Sequence, residues 1–145
     1  MEELYQRLEA IIELLEQIKT LTNNQTTVLL SEETTLEEES ILLDMIEQMA
    51  AYKDEMMTNL HEQEDAFQKV YGLYKESLAE SPELVAIKKK VATILNLQEG
   101  IVEIEQSNLL LMQKRSKTKA EKVILPKNNA KVTEAYQKQQ KKTTY

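Results

Sequence analysis

Residues 36–82 read LEEESILLDMIEQMAAYKDEMMTNLHEQEDAFQKVYGLYKESLAESP. The stretch holds one glycine, Gly72, and no proline before Pro82, so nothing in it marks a turn for more than forty residues. Leu42, Met45, Met49, Tyr52, Met56, Leu60, Phe67, Val70, Tyr74 and Leu78 recur mostly at three- and four-residue intervals, the period of one helical face. Leu43, Ile46, Ala50, Met57 and Tyr71 widen that band, which predicts a helix touching two neighbours. At the helical rise this element reaches roughly 65 Å. Its start is signalled by Thr35 three residues before Glu38, and by Thr34 before Glu37, each the spacing of a capping box.

Outward from this helix the chain offers two more. On the N-terminal side Leu4, Leu8, Ile11, Leu15 and Ile18 alternate steps of four and three, predicting a helix from Glu2. Thr20 to Thr27 is a run of β-branched and amide residues that form helix poorly, and the helix is expected to cross it and end near Leu30. On the C-terminal side Ser81-Pro82-Glu83 supplies a capping serine, a proline suited to the first helical position and an acid for the first turn. The third helix carries Leu84, Ile87, Val91, Ile94, Leu95, Ile101, Val102, Ile104, Leu109, Leu111 and Met112. Gly100 interrupts it at about 1 kcal/mol relative to Ala, tolerable in a packed helix; the alternative is a close helix crossing. Short connections make consecutive helices antiparallel. The expected fold is therefore all-α: an elongated antiparallel three-helix bundle, or a long hairpin with the first helix along part of it. The helices differ in length, so one end of the second–third hairpin should protrude with its apolar positions partly covered.

The 145 residues suit one domain, and two Gly and two Pro are too few for a sheet protein. There is no Cys, hence no disulfide and no thiolate metal site. Charge divides the chain. Residues 1–113 carry 8 basic and 23 acidic side chains, net −15; residues 114–145 carry 10 basic and 2 acidic, net +8. The expected organisation is a helical bundle over 1–113 and a basic, flexible tail over 114–145, in which Lys114–Lys119 frays and a short amphipathic helix could form around Val132 and Tyr136. The opening MEELYQRLEA lacks the basic start and apolar run of a secretory leader, and no stretch approaches the roughly 18 apolar residues of a membrane span. The expected location is the cytoplasm.

Chemistry is scarce. His61 is the single histidine, and no Ser nucleophile has an orienting partner near it in sequence. The carboxylates are spaced as on solvated helix faces, and one His cannot supply the paired Glu-x-x-His motifs of a di-iron bundle. Two isolated glycines build no phosphate loop. The reading is therefore a binding protein: no catalytic residues, no cofactor, no metal and no small-molecule substrate. The candidate partner-binding residues are Met45, Met49, Met56, Tyr71 and Tyr74 on the second helix, and Val132 and Tyr136 in the tail. Met adapts to varied partners, and an aromatic outside any core is a candidate anchor, although core filling is the preferred reading of the methionines. Nucleic acid is disfavoured as the tail's partner because the acidic body would repel it.

Tyr52-Lys53-Asp54-Glu55-Met56 through Leu60, Glu64-Asp65-Ala66-Phe67 through Tyr71, and Ile101 through Leu110 (IVEIEQSNLL) resemble segments of flagellar export chaperones of the FlgN type, and more loosely of the FliT type. The resemblance covers roughly residues 1–113. It implies a cytosolic type III export chaperone, without ATPase activity, that binds the helical termini of hook-associated (hook–filament junction) proteins before secretion and brings them to the export machinery. The alternative is a coiled-coil structural or adaptor protein that forms homo-oligomers.

Overall fold

The structure, a computed structural model, describes residues 2–32 and 35–120, with side chains described to Ser116. Three helices account for it: α1 (Glu2–Leu29), α2 (Leu36–Leu78) and α3 (Glu83–Ala120). No strand occurs among the described residues, and α1 packs along both α2 and α3, so the chain is an all-α three-helix bundle.

The boundaries follow from local chemistry. At the start of α2 the extended Thr35 (φ −131°, ψ 160°) accepts a hydrogen bond on its side chain from Glu38 N at 3.1 Å, satisfying one of the first turn's free N–H groups. Thr34 lies outside the described residues. Glu37, Glu38 and Glu39 place negative charge where the helix dipole favours it. Replacing Thr35 by Ala should lower stability by about 1 kcal/mol, read as a fall in the chemical denaturation midpoint with an unchanged slope. Between α2 and α3 the chain turns over residues 79–82; Glu83 N donates to Ser81 Oγ at 3.2 Å, and Leu84 N to Ser81 O. Neither glycine marks a crossing. A Cβ on Gly100 would meet only Lys19 Nζ at 3.9 Å, and one on Gly72 nothing within 4 Å.

The buried positions step by four and three in all three helices, as in coiled-coil packing. In α1 the seam is Leu4, Leu8, Ile11, Leu15, Ile18, Thr22, Gln25 and Leu29, as the sequence spacing predicts for its apolar part. In α2 it is Glu39, Leu43, Ile46, Ala50, Lys53, Met57 and Leu60. This corrects the sequence reading. In the first half of α2, Met45 and Tyr52 of the central band face outward (40% and 60% exposed), and Leu43, Ile46, Ala50 and Met57, which only widened it, lie in the seam; farther along, Leu60, Val70 and Leu78 of the band are buried as expected. In α3 the seam is Ile87, Ile94, Gln98, Ile101, Glu105, Asn108 and Met112.

One further difference and one agreement concern the ends. α3 does not fray at Lys114 but runs on to Ala120. Arg115 reaches across to α2 and to the C-terminal end of α1, so the ordered bundle extends beyond residue 113. At the other end Arg7 of α1 bonds Gln63 of α2 only five residues from the start of α1, while α2 continues to Leu78. The last turns of α2 thus outrun α1. Tyr71, Tyr74 and Leu84 are half-buried there, and Leu73 is 81% exposed, as unequal helix lengths require.

Candidate helix-binding groove

α1 lies against both other helices, whereas the α2 and α3 backbones scarcely approach each other. Long side chains bridge the wide α2–α3 seam in one half of the bundle. In the other half it stays open as two adjoining hollows, about 200 and 290 Å³ in volume. Phe67, Gln68 and Val91 line both. Leu8 and Ile11 of α1 contribute to the first, with Ile94 and Leu95; Tyr71, Leu84 and Ile87 complete the second. Phe67 and Tyr71 stack obliquely, ring centroids 5.8 Å apart, so two aromatic faces are presented one helical turn apart. Glu64 and Gln98 edge one hollow and Lys88 the other, so the rim is polar and of mixed charge. From Leu84 to Leu95 the trough runs roughly 16 Å along α3, about three helical turns. An apolar trough of that length suits a helix presenting anchors at i, i+3 or i+4, and i+7.

The bridged half is of different character. Lys53 and Glu105 form an ion pair with both side chains 1% exposed. Lys53 Nζ lies 3.4 Å from Thr22 Oγ1, which gives its own proton to Ile18 O at 2.7 Å and so can only accept from the ammonium. Burial pushes the Lys53 ammonium below its ordinary 10.5, and Glu105 opposes the shift. One turn on, Asn108 Nδ2 donates to Thr22 O at 3.0 Å, Thr26 Oγ1 donates to Asn108 Oδ1, and Gln25 Nε2 lies 3.4 Å from Ile46 O. Gln25 Oε1 and Glu105 Oε2 are buried without a hydrogen-bond partner among the described residues. At the end of the bundle Arg115 holds all three helices: its Nε and Nη2 take Glu39 in a fork at 2.6–3.1 Å, and its Nη1 takes Leu29 O at 2.9 Å and Ser31 O at 2.8 Å.

The sequence-predicted binding residues fall in three places. Tyr71 lines the groove, and Tyr74 packs half-buried on the same core. Met45, Met49 and Met56 are away from it. Met49 packs on the small core near Leu43, while Met56 joins Tyr52 and Leu21 along a shallow α1–α2 trough. Val132 and Tyr136 lie outside the described residues. Phe67, Leu84, Val91 and Leu95 were missed as lining residues. For the three on α3 the signal was the unusual width of its apolar stripe, where Leu84, Ile87, Val91, Ile94 and Leu95 cover more than one seam.

His61 is exposed, with Nδ1 3.6 Å from Glu64 Oε1, too long for a hydrogen bond. Among the described residues no group of three or more His, Asp or Glu is placed to hold a metal ion, and no helix is long and apolar enough to cross a membrane. Comparison with family models, curated proteins and solved structures finds no match.

Proposed function

We propose that the chain is a helix-holding chaperone whose α2–α3 groove receives an amphipathic helix of a client protein. The carrying observation is the open apolar trough from Leu84 to Leu95 between α2 and α3, with aromatic walls and a polar rim. The client class is the one implied by the resemblance to FlgN-type export chaperones: the helical terminus of a hook-associated protein, held in the cytoplasm and passed to the export machinery. The chemistry suits holding: the walls of Phe, Tyr, Leu, Ile and Val offer contact area, and Glu64, Gln98 and Lys88 stand at the rim.

Titration of the full chain with C-terminal helical peptides of hook-associated proteins tests this. Binding at roughly tens of micromolar or tighter is expected. Tyr71→Ala and Leu84→Ala should each weaken it by about tenfold, beyond the modest fall in thermal transition expected of half-buried residues that pack on the core. No binding, or binding indifferent to both substitutions, removes the proposal. A second reading is favoured by Ile41, Met45 and Tyr52, each 40% exposed or more and on one face of α2: self-association through that stripe. Sedimentation separates the two, since a stable dimer dispersed by Tyr52→Glu belongs only to the second.

A further inference from the structure

We propose that the polar layer divides the bundle into two separately stable units, and that the end clasped by Arg115 opens as a unit while the groove-bearing part stays folded. Four observations carry it, three at the polar layer and one at the far end. First, the apolar core is not continuous. A large cluster runs from Leu4 to Ile18, Met57 to Leu78 and Ile87 to Ile101; a small one holds Val28, Leu29, Leu43, Ile46 and Met112. Between them lie Thr22, Gln25, Lys53, Glu105 and Asn108, all buried. Second, that layer is incompletely satisfied, with Gln25 Oε1 and Glu105 Oε2 lacking partners, so it joins the two clusters less firmly than apolar packing would.

Third, α1 is weakest at the same level. Thr20, Thr22 and Thr27 each turn their hydroxyl back to the carbonyl four residues earlier, at 2.7–3.3 Å, a bond that loosens and bends helices, and the residues around them are poor helix formers. α1 therefore carries a natural hinge there. Fourth, Arg115 ties the far end together. Arg115 supplies the ion pair to Glu39 and caps the carbonyls of Leu29 and Ser31, linking α3 to α2 and to the end of α1. A small core behind a polar layer, hinged on one helix and clasped by Arg115, opens below the global unfolding threshold. Opening would uncover Leu29, Leu43, Ile46 and Met112 without disturbing Phe67 to Val91. The inference is independent of whether the groove holds a helix.

Native-state hydrogen exchange on the full chain tests it. Amides of 26–29, 43–49 and 108–112 should share one opening and exchange at least about tenfold faster than those of 8–18, 57–60 and 94–101. Arg115→Gln should speed the first set by a further factor of about ten to a hundred and leave the second unchanged. The paired change Lys53→Met with Glu105→Leu, which makes the layer apolar, should slow the first set toward the second. A single common rate in the unaltered protein overturns the proposal. So does equal acceleration of both sets by Arg115→Gln, or no slowing of the first set in the paired variant; the paired variant carries the test if Arg115→Gln does not fold.

Discussion

Replacing Lys53 with Met should cost about 3–5 kcal/mol of stability, the largest loss expected from any single substitution of a charged residue here. The cost comes from what remains. Glu105 is 1% exposed, one of its oxygens has no partner, and the other loses the ammonium. Thr22 is a weak substitute: its one hydroxyl proton is shared between Ile18 O at 2.7 Å and Glu105 Oε1 at 3.4 Å. A lone buried carboxylate must be protonated, hydrated by local opening, or tolerated, and each costs stability. The paired variant Lys53→Met with Glu105→Leu should regain the loss and could exceed the starting protein by about 1–4 kcal/mol, since two buried charges seldom repay their desolvation. Chemical denaturation of both single variants and the pair, analysed as a double-mutant cycle, gives the coupling directly. A loss under about 1 kcal/mol for Lys53→Met would show that water reaches the pair and that the layer is not the dry core described above.

The same pair explains what the sequence hid. α1 was legible because its seam from Leu4 to Ile18 is wholly apolar and its other faces are mostly polar. α2 carries two apolar stripes a fraction of a turn apart. The rule that charges face water favours the one through Met45, Tyr52 and Met56, which contains none. The actual seam contains Glu39 and Lys53, each buried against a partner on α3 that is 76 or 52 residues distant. Such pairing is invisible to periodicity. Arg115 was hidden similarly: within Lys114-Arg115-Ser116-Lys117 it reads as part of a solvated charge run, and only the arrival of Leu29 O, Ser31 O and Glu39 gives it a structural role. The helix starts were legible because Thr35 and Ser81 act on their own neighbours, at a range of two or three residues. The groove was legible only in outline. Unequal helix lengths foretold uncovered positions near Tyr71, but the α2–α3 separation that forms the trough depends on how α1 sits between them.

The division of the core also bears on where function can reside. The groove is built on the large cluster, with Leu8, Ile11 and Ile94 lining it, so its walls stay fixed while the clasped end moves. A rigid trough avoids the ordering cost that a mobile one would incur on binding.

Met57→Ala should destabilise the protein by about 2–5 kcal/mol, whereas Met45→Ala on the same helix should change stability by no more than about 0.5 kcal/mol. The residue type and the substitution are the same in both, so transfer chemistry and helix propensity cancel and only position differs. Met57 is 1% exposed within the large cluster, whose Leu60, Ile101 and Leu15 neighbours in that core cannot collapse into the space a methionine leaves. Met45 is 40% exposed on the outer stripe, and its loss leaves no cavity. The comparison decides the rotation of α2 about its axis. If the stripe through Met45 and Tyr52 were the seam, the order of the two effects would reverse, and the burial of Lys53, which shares the face of Met57 one turn away, would fall with it. Thermal and chemical denaturation of the two variants, with equal slopes, is sufficient to tell the two orientations apart.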